Sequence, residues 1–207
     1  MRITAMILAA ATALCCVSCG KSSSSSSEVD TNIVGMWSIS GEGADGGYIF
    51  EDNGTASVYF KPDNTYFEDD AFFIYGTHVG GDRLKFDGDI LTAEVLNENF
   101  LTLDRVGEPD KTTFNGDYVI TGGTMLETII QSLGFPESEK PELHFRVEDN
   151  KATIVAVDAM DYTFDGKTLD LKGKHGFPSS SGETERSGDK LTIKRNDGKS
   201  RVLNKVK

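Results

Sequence analysis

Cysteine occurs only at positions 15, 16 and 19 of this 207-residue sequence, so whatever folds beyond Cys19 does so without a disulfide and without a thiolate metal site. Histidine is nearly as rare. His78, His144 and His175 fall in a turn, a strand and a loop, and no two are spaced to hold a metal from one helix. No serine stands in a nucleophile elbow, and no motif gathers an acid, a base and a nucleophile, which points away from an enzyme. Positive charge is in the minority, with 21 Lys and Arg against 33 Asp and Glu and a formal net charge of -12. That balance argues against nucleic acid, whose binding rests on cations neutralising phosphates; a charged partner is expected to be basic. The one long apolar run starts at Ile3 and stops at Val17, short of the roughly 20 residues that a bilayer-spanning helix needs. Helix signals are nearly absent and proline is limited to five residues, while 22 glycines imply many tight turns.

What the first residues do contain is an address. Arg2, the apolar stretch Ile3 to Leu14, and small Ser18 before Cys19 and Gly20 have the layout of a secretory signal. Val17-Ser18-Cys19 resembles a bacterial lipobox, with Cys16 where an aliphatic residue is usual. The resemblance implies cleavage before Cys19 and acylation of its sulfur, so that the protein is held on a membrane by its N-terminal lipid. Each buried methylene of such chains contributes about 0.8 kcal/mol. Residues 1–18 are then the signal, and 19–32 are the lipidated cysteine and a tether built on Lys21 and the serines 22 to 27, a low-complexity spacer. The expected location is the outer membrane. Lys21 and the serines precede Glu28 and Asp30, an order that leaves the periplasmic or surface face undetermined.

The body that follows alternates short β-branched and aromatic runs with Gly, Asn and Asp turns, the grammar of an antiparallel meander. Asp52-Asn53-Gly54 and Asp87-Gly88 in the first half, and Asp149-Asn150, Asp165-Gly166 and Asp197-Gly198 in the second, supply the positive φ that tight hairpins demand. The two halves match at their ends. Gly35-Met36-Trp37-Ser38-Ile39 aligns with Gly116-Asp117-Tyr118-Val119-Ile120, and Phe100-Leu101-Thr102-Leu103-Asp104-Arg105 aligns with Lys190-Leu191-Thr192-Ile193-Lys194-Arg195. Any meander resembles itself, but end motifs matched in type and order indicate a tandem duplication. Repeat 1 covers 33–105, a charged linker with Pro109 covers 106–113, and repeat 2 covers 114–207. The expected fold is all-β, with two tandem small meander barrels; one barrel shared between the repeats is the alternative.

One segment breaks the pattern. Thr124 and Glu127 form a capping box, Leu126, Ile129, Ile130 and Leu133 recur at the spacing of one helical face, and Gly134 with Pro136 ends the run. A short amphipathic helix over Thr124 to Leu133 follows, either a lid over a cavity or, preferably, a plug that completes the core.

The Gly-x-Trp of the first strand, the meander of seven or eight short strands, and the late strand ending in Arg resemble the lipocalin-like domains of exported lipoproteins, especially those of the Bacteroidota. The resemblance runs from Ile33 onward, twice, each repeat being about half a true lipocalin. It implies that Trp37 packs under a closed barrel end with Arg105 across it, and Tyr118 with Arg195, as structural closures. It carries no ligand-binding motif.

Other motifs are weaker. Gly41-Glu42-Gly43-Ala44-Asp45-Gly46 fits a dinucleotide fingerprint as a string, but a strand follows it where a helix is needed. Gly166-Lys167-Thr168 mimics the end of a phosphate loop yet reads as a hairpin turn. The acidic groups Glu68-Asp69-Asp70 and Asp82, Asp87, Asp89 lack the alternating ligands of a calcium loop and read as solvated strand ends. No cofactor or metal is expected. The expected role, ranked first by the family likeness, is a membrane-anchored, non-enzymatic binder of a small apolar or amphipathic ligand; the alternatives are a protein-interaction or inhibitor module acting through acidic barrel loops, and a structural accessory of an envelope or uptake complex.

Overall fold

A computed structural model of the chain describes residues 31–40, 46–68, 71–74, 77–87, 89–107, 114–133 and 139–207. The expected signal segment, the Cys19 lipidation site, the serine tether and all but the first two residues of the 106–113 linker lie outside them. Among the described residues the first half of the chain forms β1 (Gly35–Ile39), β2 (Gly46–Phe50), β3 (Thr55–Phe60), β4 (Tyr66–Glu68), β5 (Ala71–Ile74), β6 (Thr77–Gly80), β7 (Leu84–Asp87), β8 (Ile90–Val95) and β9 (Glu98–Val106). The second half adds β10 (Gly116–Gly122), the helix α1 (Thr124–Leu133), β11 (Leu143–Glu148), β12 (Lys151–Phe164), β13 (Thr168–Gly173), β14 (Ser180–Ser187), β15 (Lys190–Arg195) and β16 (Ser200–Lys205). Among the described residues the fold is all-β with one short α-helix, at the predicted residues. Side chains alternate as a half-buried strand requires: in β15, Leu191 and Ile193 are buried while Lys190 and Lys194 are exposed. Asp149 and Asn150, both at positive φ, turn β11 back on β12.

The chain forms two compact units. The first is built from β1, β2, β3 as far as Val58, and the chain from Asp158 onward. Eight antiparallel strands close into a barrel in the order β1, β2, β3, β12, β13, β14, β15, β16, with β16 pairing back onto β1. Trp37, Phe50 and Leu203 are fully buried and Leu191 and Leu169 nearly so; each such side chain contributes roughly 1.5–3 kcal/mol. Phe50 meets Tyr162 edge to face, with centroids 4.9 Å apart. Gly47 is required by close approach, since a Cβ there would lie 1.8 Å from the Trp37 carbonyl oxygen.

The second unit is built from Tyr59 through β11 and from β12 as far as Val157, without residues 136–141. Its strands run β7, β8, β9, β10, β11, β12 and continue through β4 to β5 and β6. Phe67 stacks between Phe72 at 4.6 Å and Phe114 at 4.3 Å, and Phe72 meets Phe145 edge to face. The helix packs against β9 and β10.

The expected pair of tandem barrels, one per repeat, is not what forms. The barrel joins the first three strands of repeat 1 to the last strands of repeat 2, and the second unit joins the first strands of repeat 2 to the last strands of repeat 1. The physical reason lies in the likeness of the repeats. Thr102-Leu103-Asp104-Arg105-Val106 of β9 and Val202-Leu203-Asn204-Lys205-Val206 at β16 share the Leu and the final Val and pair Asp with Asn and Arg with Lys, so β1 and β10 are offered two similar partners and the local pattern does not distinguish them. In the structure β1 takes β16 and β10 takes β9. The end alignment shifts accordingly: Asp89-Ile90-Leu91-Thr92, not Phe100 to Arg105, corresponds to Asp189-Lys190-Leu191-Thr192. The Arg105 amide donates to the Asp89 carbonyl at 3.0 Å, and the Lys205 amide donates to the Asp189 carbonyl at 2.7 Å.

Candidate functional site

The closure residues make the same construction twice, with partners other than those expected. Trp37 donates from Nε1 to the Ile33 carbonyl at 2.7 Å, and the Tyr118 hydroxyl donates to the Phe114 carbonyl at 3.0 Å. Each aromatic thus ties down the chain four residues before it. In register with Trp37 is Lys205, whose ammonium lies 5.6 Å from the ring centroid, and Arg186 lies 5.7 Å away. In register with Tyr118 is Arg105, 5.0 Å from its centroid and donating to its hydroxyl. Trp37 and Arg105 belong to different units, so the expected Trp37–Arg105 and Tyr118–Arg195 pairs are replaced by Trp37 with Lys205 and Arg186, and Tyr118 with Arg105. Arg195 instead bonds Asp197 at 3.0 Å. The sequence signal that locates Lys205 is its place opposite Arg105 when the β16 motif is aligned on that of β9. Such cation-π contacts contribute roughly 0.5–2 kcal/mol each and hold structure.

The helix buries Met125, Ile129 and Ile130, while Leu126 is half-buried. The apolar stripe is therefore rotated toward Met125 from the expected set; the Leu133 side chain lies outside what is described. Gly123 rather than Thr124 stands at the N-cap, its carbonyl accepting from the Glu127 amide at 3.5 Å. Its positive φ and the absence of a Cβ, which would lie 2.4 Å from the Phe100 oxygen, let the chain turn here from β10 into the helix.

Two polar groupings link several charged side chains. His144 is buried in a chain of charges: Nδ1 bonds Asp117 at 2.8 Å, Nε2 bonds Glu142 at 2.7 Å, and Arg146 donates to the other Asp117 oxygen at 3.2 Å. The Asp117 hydrogen bond raises the imidazole above its ordinary pKa, aided by Glu142 against the opposing effect of burial. Burial pushes Asp117 up, but His144 and Arg146 together outweigh it and hold the carboxyl below its usual range. With both ring nitrogens engaged by carboxylates, the arrangement suits a cation that bridges strands β10 and β11. In the barrel, Lys174 reaches Asp158 at 2.8 Å and Asp161 at 2.6 Å, and these bonds raise its pKa. The polar atoms inside the barrel are likewise engaged. Arg201 donates to the Tyr48 hydroxyl at 2.9 Å, and the Tyr162 hydroxyl donates to the Glu51 carbonyl at 2.6 Å, its pKa pushed up to about 12 by burial and then by Glu51 and Asp52.

On the outer face, the two related hairpins differ. β8 and β9 carry the large apolar side chains that are exposed among the described residues: Ile90 at 42%, Leu96 at 88% and Val106 at 48%. Leu96 and Asn97 form the tip at φ 55 and 64. The corresponding positions near β15 and β16 are Lys190, Asn196 and Val206, and that turn has Gly198. Charge differs as well: residues 84–106 carry two basic against five acidic side chains, and 184–206 carry seven basic against three acidic.

Asp82, Asp87 and Asp89 are exposed, and among the described residues no group of three His, Cys, Asp or Glu is gathered for a metal ion. Asp69 and Asp70, and Gly41 to Asp45, lie outside the described residues. Asp165 accepts from the Lys167 and Thr168 amides at 2.8 and 2.7 Å, making the Gly166 segment a hairpin turn. Comparison with protein-family models, with curated proteins and with solved structures gives no match to this chain.

Proposed function

We propose that this chain is a lipid-anchored, non-enzymatic envelope protein that works through its outer surface as a protein-interaction module, held at the outer membrane by the acylated Cys19. The observation that carries the surface reading is the close packing of the barrel's buried side chains. Trp37, Phe50 and Leu203 have no accessible surface and Leu191 and Leu169 have about 1%, which leaves no water-sized space against them, and small closed barrels are commonly packed in this way. The polar atoms of Trp37, Tyr48 and Tyr162 are spent on protein partners rather than aimed at a ligand. A carrier of a small apolar molecule needs a cavity where these side chains stand. The short chemistry inventory of the sequence and the double engagement of His144 support a role without catalysis.

Native mass spectrometry of the body from Glu28, gently purified, tests the reading. A single apo mass is expected. A stoichiometric lipid-sized adduct released on denaturation would sink it in favour of a ligand carrier with α1 as a lid.

A further inference from the structure

The two halves of this duplicated chain serve as each other's control, and they diverge at one place on the outer surface. Ile90, Leu96 and Val106 all sit on the β8–β9 hairpin, exposed, where the related hairpin has Lys190 and Asn196 at the first two positions and a less exposed Val206 at the third. Leu96 is held at φ 55, a backbone conformation that a bulky side chain adopts only against its preference. The two-residue turn that joins β8 to β9 demands it, yet a leucine, 88% exposed, stands where Asn, Asp or Gly is usual. The exposed charges around it are mostly acidic, Asp87, Asp89, Glu98 and Asp104, with Lys85 among them paired to Glu94 at 2.9 Å. The adjoining strand β7 pairs only with β8 among the described residues, so this acidic and apolar face runs out to a sheet edge.

Resting on the surface reading above, we infer that the outer face of the β8–β9 hairpin is the docking site for a basic, amphipathic protein segment that seats apolar side chains on Ile90, Leu96 and Val106 and cations against the flanking carboxylates. Charge selects this occupant. Residues 84–106 carry five acidic side chains against two basic, and the chain's net charge of -12 steers cationic partners toward them. The basic hairpin at 184–206, built on the same strand pattern, repels the same partner and keeps the two surfaces distinct.

The test uses the body from Glu28, which holds every described element, isotopically labelled for nuclear magnetic resonance and titrated with an alternating Lys-Leu octapeptide. Glu-Leu and Lys-Ser octapeptides serve as controls. Shifts confined to residues 84–106 are expected for the Lys-Leu peptide alone. Binding should weaken at least tenfold in the double variant Ile90→Lys with Leu96→Asn, which carries the residues the related hairpin already tolerates and should keep its melting temperature. Equal shifts at 184–206, equal response to either control peptide, indifference to the double variant, or no binding at all would each overturn the inference. So would self-association of the body by sedimentation that the double variant abolishes. Binding of the Lys-Leu peptide at another face would remove this site while leaving the surface reading intact, whereas a co-purified lipid would remove that reading whatever the peptide does.

Discussion

Cutting the chain between its repeats is the perturbation that most sharply separates exchanged halves from independent ones. A protease site placed within 109–112 leaves every described strand untouched. Four strand pairings cross from one repeat to the other: β1 with β16, β9 with β10, β3 with β12, and β4 with β12. Neither fragment holds a complete barrel, so the two should co-elute after cleavage. Before the cut, a short linker keeps its ends at an effective concentration in the millimolar range. At about 1 µM protein the cut therefore costs a factor of about a thousand, or about 4 kcal/mol. Each further tenfold dilution should cost about 1.4 kcal/mol, which for a chain of this size lowers the melting temperature by roughly 3–6 °C. Size exclusion and scanning calorimetry of the cut protein over a hundredfold concentration range read this directly. Fragments that separate on the column, each with a melting temperature independent of concentration, would refute the exchange.

His144 makes stability depend on pH in a calculable direction. Its folded pKa is raised, so its contribution is complete below the unfolded value of about 6.5 and is lost as pH rises through the folded value. Asp117, held low, contributes above its unfolded value near 3.8 and loses that contribution as pH falls. Chemical denaturation of the wild type should thus show a decline in stability above about pH 6.5 that is missing in His144→Gln. Truncation of the helix anchor is the complementary test: Ile129, fully buried, should cost about 2–5 kcal/mol as Ile129→Ala, measured by urea denaturation. A cost under about 1 kcal/mol would show that α1 is a loosely seated lid.

The sequence is most informative where structure is local. The helix from Thr124 to Leu133 is legible because its apolar repeat lies within ten residues, and the Asp149-Asn150 and Asp165-Gly166 turns are legible because the residues themselves adopt the required backbone. Aromatic closures are half legible. Trp37 and Tyr118 stand out as strand-borne rings near a glycine, yet their cations do not, since Lys205 and Arg105 are chosen by strand pairing across the chain. Strand exchange is hard to read from one sequence, because the similar motifs at β9 and β16 give either pairing much the same local pattern. The exposed apolar hairpin tip is also missed, because Leu96 becomes conspicuous only when its φ and its exposure are known.

The pairing of β1 with β16 also orders the events of folding. Ser38 and Asn204 meet across 166 residues of chain, and contacts so remote in sequence are made slowly. During synthesis the first three strands emerge early, yet β16, the strand that closes over Trp37, is made after every other described strand. Until it arrives, β1 offers an unpaired edge to any neighbouring strand, β9 of its own repeat among them. The exchanged fold therefore has a built-in competitor, the repeat-by-repeat barrel, and reaching the native pairing is a kinetic choice as well as a thermodynamic one.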